Sequence, residues 1–209
     1  MTSRPRLFVL GDSISMHYGP YLETALHGVF TYARKTGGES QLGNANIPRD
    51  ANGGDSRAVL NWLRSMAQGG GVSADLLLLN CGLHDLKINA GQTTSQVSLD
   101  EYKKNLPEIL RVARGMKLKV AWVRITPVDD ALHVAKKNFV RRQQDVLAYN
   151  AVADEVMHAA DVPACDLFTF TMNLGTSLTD DGVHFHDAVR EKQAAFIAGW
   201  LTARFVSRS

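Results

Sequence analysis

Cysteine is scarce. Cys81 and Cys165 are the only two in 209 residues, too few for the disulfide framework of a small secreted domain. Cys81 also closes an apolar run, where a buried thiol is commonplace, so no disulfide is expected. Long apolar stretches are missing as well: none approaches the roughly 20 residues that span a bilayer. The opening Met1-Thr2-Ser3-Arg4-Pro5-Arg6 runs into only four apolar residues, Leu7 to Leu10, with no small-residue cleavage site, so it does not read as a signal peptide. A soluble, cytoplasmic protein is the expectation. Charge of one sign is lacking too. The 23 basic and 21 acidic side chains leave a formal charge of +2, and no Lys/Arg run is long enough to mark a nucleic-acid or membrane footprint. No Gly-x-x-x-x-Gly-Lys-Ser/Thr phosphate loop occurs, which leaves kinase or NTPase chemistry without support. Gly69-Gly70-Gly71 fits a relaxed dinucleotide fingerprint, but it precedes a strand where it should follow one, and it reads as a loop.

What is present is the composition of one ordinary globular domain, residues 1–209, with 45% hydrophobic content and no internal repeat or low-complexity linker. Apolar runs of strand length recur at Leu7–Leu10, Val29–Ala33, Leu76–Leu79, Val120–Ile125 and, more weakly, Pro163–Leu167. Helical periodicity lies between them, at Tyr18–His27, at Arg57–Met66, and in a stretch opened by Ser98 with Glu101 three residues on, a capping-box pattern. Pro107 falls inside that stretch, where it is a candidate kink. Asn138–Ala160 and Asp187–Phe205 are longer periodic segments that would cover a sheet. Strand and helix alternating throughout predicts an α/β fold with a parallel sheet and helices on both faces. Ligands of such folds sit beyond the carboxyl ends of the strands. The segments to search are therefore Gly11–His17, Thr36–Asp55, Asn80–Ser98, Thr126–Lys137 and Phe168–His186. The stretch Gly37–Gly54, rich in Gly, Asn and polar residues, is expected to shape one wall of a pocket.

Two of these segments carry chemistry. Gly11-Asp12-Ser13-Ile14-Ser15 follows the first strand and opens a helix, where a serine hydroxyl lies near helix N–H groups able to stabilise a reacting oxyanion. Taken alone, it reads equally as a turn with a capping serine. Asp181-Gly182-Val183-His184 follows the last strand. A serine is a weak nucleophile until an imidazole takes its proton, and that imidazole needs a carboxylate to fix its tautomer and stabilise its charge. One short loop can supply both groups, although a surface histidine ahead of a helix-capping Asp187 has the same pattern.

With both motifs in place, the chain resembles the SGNH, or GDSL-type, hydrolases from its first strand to its last helix. The resemblance implies a three-layer α/β/α sandwich of flavodoxin-like type with a five-stranded parallel sheet, and no metal or organic cofactor. It implies Ser13 as nucleophile, with Asp181 and His184 completing the triad of an esterase. Asn52-Gly53-Gly54-Asp55-Ser56 resembles the family's second block, making Gly54 the implied oxyanion donor beside the Ser13 N–H, with Gly53 close behind. The third block departs from the family pattern Gly-x-Asn-Asp, reading Gly82-Leu83-His84-Asp85. A neutral imidazole has one N–H to give where an amide has two. His84 is either a third oxyanion donor or a tether for its loop, and Asp85 is expected to be structural.

Several alternatives share these residues. Asp130-Ala131-Leu132-His133 also spells Asp-x-x-His after a strand; chain order favours His184 over His133. His184 and His186 with Asp181 have zinc-like spacing, but no further ligand cluster accompanies them. A binding protein that keeps the fold without turnover is motivated by the altered third block. As an enzyme, the chain is expected to act on a small-molecule or saccharide ester, with deacetylation of a carbohydrate or other polar ester favoured over lipid ester or thioester cleavage. Arg49, Arg57, Lys136 and Lys137 are candidate pocket cations, each taken singly more at home on a solvated surface.

Overall fold

Leu76–Leu79 and the core of Val120–Ile125 have no polar face, a pattern suited to a sheet covered on both sides. The computed structural model describes residues 4–36 and 51–206 and places these runs at the centre of the sheet. Its strands are β1 (Arg6–Leu10), β2 (Thr31–Arg34), β3 (Leu76–Leu79), β4 (Lys119–Val123) and β5 (Ala164–Cys165). All pair in parallel, in the order β2-β1-β3-β4-β5. The register sets Leu7 beside Tyr32 and Leu76, Leu76 beside Lys119, and Trp122 beside Ala164. Every residue of β3 is buried, and each such leucine contributes on the order of 1.5–3 kcal/mol.

Parallel neighbours require right-handed crossovers, which places α1 (Ser13–Ala25) and α7 (Asp187–Phe205) together on one face. The helices α2 (Ser56–Gln68), α3 (Leu99–Gly115) and α5 (Gln143–Ala159) pack on the other. Two short helices, α4 (Asp130–Lys136) and α6 (Leu167–Met172), lie in the connections around β5. The chain leaves β1 for β2 on one side and later returns to β3 on the other, so the strand order reverses between β1 and β3. A crevice therefore opens at their carboxyl ends. Both cysteines are buried free thiols. Among the described residues no helix is long and apolar enough to cross a membrane.

Some expected boundaries move. The first helix begins at Ser13, not Tyr18, because the Asp12 side chain caps it by accepting the Ile14 N–H. The segment expected to be helical from Asn138 is extended there instead. Val140 exchanges backbone hydrogen bonds with Ile88, and α5 starts only after Arg142. The fifth strand is reduced to two residues because Asp166 caps α6 immediately after it. Ser98 does cap α3 through the Glu101 N–H, and the helix runs through Pro107 to Gly115. Arg49 and residues 37–50 of the expected pocket wall lie outside the described residues.

Candidate active site

The reversal point brings the two sequence motifs together across 171 positions: Ser13 Oγ lies 3.0 Å from His184 Nε2. On the far side of the ring, Nδ1 lies 2.7 Å from Asp181 Oδ2. A carboxylate can only accept, so Nδ1 carries the proton and the Nε2 lone pair faces the serine. The other carboxylate oxygen, Oδ1, accepts the backbone N–H groups of Val183 and His184 at 3.0 and 2.7 Å. Burial alone would raise the Asp181 carboxyl; the His184 backbone N–H, the His184 ring and Lys137 outweigh it and hold the group well below the usual range. Asp181 is therefore an anion at neutral pH. Gly182 makes this loop possible: its φ is +81°, and a Cβ there would sit 2.5 Å from the Asp129 carbonyl oxygen.

The second block lies against the first. The Gly53 N–H is spent on the Gly11 carbonyl at 2.8 Å, which leaves Gly54 as the donor nearer to availability. The Gly54 N–H rests on the Asn52 side-chain oxygen, also at 2.8 Å, in an Asx turn, and the φ of +74° at Gly54 itself favours glycine. Asp55 then caps α2 through the Ala58 N–H. Arg57 braces this corner, donating to Asp55 at 3.2 Å and to the Gln96 carbonyl at 3.0 Å.

In the third block Asp85 is fully buried, and both its oxygens accept the Ser56 N–H, at 2.9 and 3.0 Å. Burial pushes its carboxyl up to about 7. Its place is structural, tying the second block to the third. His84 is half-buried and, among the described residues, has no hydrogen-bond partner. Burial lowers its imidazole, with Arg141 and Lys87 adding to the effect and Asp12 and Asp55 opposing it. The ring is neutral at pH 7, with one N–H uncommitted.

The remaining candidates separate. His133 does not approach the serine as a rival base: it is fully buried, and its Nδ1 donates to the Asp181 backbone carbonyl at 3.2 Å. His186 turns to Asp180 at 3.3 Å, away from the Asp181 and His184 pair. Lys137 is not a solvated surface cation; its Nζ lies 2.9 Å from Asp181 Oδ2. Lys136 is exposed. Two groups near the site, His17 and Arg141, escaped sequence reasoning. His17, one helical turn after Ser13, packs its ring 5.0 Å from that of His184. Burial, helped by Arg190 and His184, lowers its imidazole to about 4, so it is an uncharged wall at neutral pH. Its i+4 spacing from Ser13 was the available signal. Arg141 had none.

Comparison with known proteins agrees with this architecture. The profile of the GDSL-like lipase/acylhydrolase family matches residues 9–191. The solved lipase/acylhydrolase from Enterococcus faecalis superposes with a TM-score of 0.67 at 15% identity, covering 99% of this chain and 100% of that one. A GDSL-like lipase from Bacteroides thetaiotaomicron gives 0.66 at 16% identity, over 95% of this chain and 88% of that one. An acetyl xylan esterase gives 0.66 at 13% identity, over 94% and 99%. A search of curated proteins finds no match.

Proposed function

From the premise that the chain belongs to the GDSL-like lipase/acylhydrolase family and is an ester hydrolase, we propose that it cleaves small acyl esters through Ser13, His184 and Asp181. The observation that carries this reading is the continuous contact from Ser13 Oγ through the His184 ring to Asp181. Ser13 Oγ attacks the ester carbonyl carbon as Nε2 of His184 takes its proton, and the carbonyl π electrons move onto oxygen. Asp181 holds the ring in its tautomer and stabilises the imidazolium. The intermediate collapses, the alcohol leaves with the Nε2 proton, and Ser13 keeps the acyl group. Water then attacks that acyl ester, giving its proton to Nε2; collapse frees the acid, and the proton returns to Ser13 Oγ.

Three N–H groups are assigned to the oxyanion. The Ser13 N–H stands at the first position of α1, where no intrahelical acceptor exists. The Gly54 N–H is released from Asn52 Oδ1, and His84 gives its free ring N–H. We read the substrate as a small polar ester, with acetylated carbohydrate the favoured class. Polar residues around the triad, among them His17, His84 and Lys137, support that choice, and the fold shared with an acetyl xylan esterase is consistent with it. A chromogenic acetyl ester tests the reaction: Ser13→Ala should lose at least about 1,000-fold in turnover. Equal, near-background rates for wild type and Ser13→Ala would remove the enzyme reading. A panel of esters differing in acyl length and alcohol polarity tests the substrate class; a preference rising with acyl length would favour lipid ester or thioester cleavage instead.

A further inference from the structure

Arg141 is 6% exposed, yet among the described residues only Nε of its five N–H donors has a partner, the Leu83 carbonyl at 2.6 Å. Among the described residues no carboxylate comes within salt-bridge distance of it. Its two Nη groups have no partner among the described residues, and they are not among the side-chain nitrogens sealed from solvent. They therefore face space that water, or a ligand, can reach. Arg141 is close enough to the site to feel Asp12, which precedes Ser13, and Asp181. Neither neutralises it. Asp181 Oδ2 is committed to His184 and Lys137, and Asp12 Oδ1 to the Ile14 N–H, with Oδ2 sealed and unpaired. Another cation shares the same wall. Lys87 Nζ and the Arg141 guanidinium share the Phe139 ring, at 4.9 and 5.0 Å from its centroid.

Withdrawing a guanidinium from water and leaving most of its donors unused is costly unless a partner arrives. Tethering Leu83 needs one N–H and no charge. We infer that Arg141 is an anion subsite of the ester-binding cleft, selecting substrates that carry a carboxylate or phosphate in addition to the scissile ester. Planar paired donors suit either group, which a guanidinium binds through two parallel hydrogen bonds. The inference rests on Ser13 as the nucleophile and specifies what that nucleophile is offered. It is compatible with a polar ester and excludes a neutral lipid as the preferred substrate.

Two pairs of isosteres locate the charge. Monomethyl succinate against methyl succinamate places it on the acyl side; 4-acetoxybenzoate against 4-acetoxybenzamide places it on the alcohol side. Wild type at low salt should prefer the anion in one pair by about tenfold or more in kcat/KM, mostly through KM. Arg141→Gln should bring that ratio close to one, whereas Lys136→Gln, which removes the same charge from an exposed site, should leave it unchanged. A wild-type ratio near one in both pairs overturns the inference without any variant having to fold; so does an undiminished ratio in Arg141→Gln. If wild type cleaves no ester, the nucleophile reading fails separately. Succinate and phosphate are then titrated calorimetrically into wild type and Arg141→Gln: saturable binding of either that depends on Arg141 supports the subsite, and its absence overturns it.

Discussion

His84 offers a sharp test because its two candidate roles have opposite signatures. A tethering histidine holds a partner; this one has none among the described residues, so truncation strands no donor or acceptor and leaves only a small change in packing. His84→Ala should therefore stay within about 1 kcal/mol of wild type in denaturant unfolding, well short of the cost of leaving a buried polar group unpaired. Turnover should behave differently. Losing one oxyanion donor typically costs about 100- to 1,000-fold in kcat, or roughly 2.7–4 kcal/mol of transition-state stabilisation. The loss should appear in kcat and kcat/KM alike, since the bond strengthens as charge develops on oxygen. His84→Asn, which replaces the ring N–H with an amide, should recover part of the rate. The measurements are steady-state kinetics on a neutral acetyl ester alongside urea unfolding of each variant. His84→Ala activity within about threefold of wild type would refute the donor role, as would a rate loss that tracks an equal loss of stability.

Further outcomes follow from the neighbouring contacts. His184→Ala should abolish turnover by about 10,000-fold or more, while His133→Ala, which empties a buried site, should cost about 2–4 kcal/mol of stability with a loss of rate below tenfold; comparing kinetics with urea unfolding separates the two. Lys137→Gln removes a cation from Asp181 Oδ2, one of the contacts that hold that carboxyl below its usual range, and steady-state kinetics should show a loss of turnover below about tenfold, far short of that for His184→Ala. His17 is lowered from 6.5 to about 4 by burial, with Arg190 and His184 of the same sign and Asp181 and Asp187 opposing. The unfolded chain thus takes up a proton that the folded one refuses, and stability present above pH 6.5 is lost as pH falls towards 4. The shift corresponds to about 3 kcal/mol at most, cut to roughly 1–2 kcal/mol by partial hydration. His17→Phe should flatten urea stability across that window, and an unchanged slope would contradict the assignment.

The parts of the molecule legible in the sequence are those whose determinants are local or repetitive. Leu76–Leu79 announces a central strand because burial on both faces leaves no polar alternation. Asp181 and His184 announce each other because they lie three positions apart, and the carboxylate fixes that loop by accepting the backbone N–H groups of Val183 and His184. Periodicity failed where a tertiary contact overrode it. Asn138–Arg141 continues a helical pattern, but Val140 pairs with Ile88 and Arg141 is held by Leu83. The α4 helix was missed because its signal is a single cap, Asp129 accepting the Leu132 N–H. Lys137, a candidate pocket cation, taken singly still reads as a surface residue and Arg141 attracts no reading at all, since nothing near either in sequence is its partner. His133 meets the Asp181 carbonyl from 48 positions away, and Arg141 meets Leu83 from 58.

Those long-range contacts share one origin, the connection between β4 and α5. His133 holds the backbone of Asp181, Lys137 holds its carboxylate, and the Asp129 N–H donates to the Gly182 carbonyl at 2.9 Å. Four residues beyond Lys137, Arg141 grips the carbonyl preceding His84. The loop bearing the proposed base and the loop bearing the proposed third oxyanion donor are thus fastened to the same short segment. A shift of that segment moves both at once, and an oxyanion site loosened by even about 1 Å forfeits much of its effect. Gly182 makes the coupling tight: a side chain there would collide with the Asp129 carbonyl and with the backbone of His133 at 2.6 Å. Of the Asp-x-x-His of α4, which in sequence mimics the Asp181 and His184 pair, only His133 takes part in this fastening; Asp130 accepts the Gln143 N–H at the start of α5, at 2.6 Å.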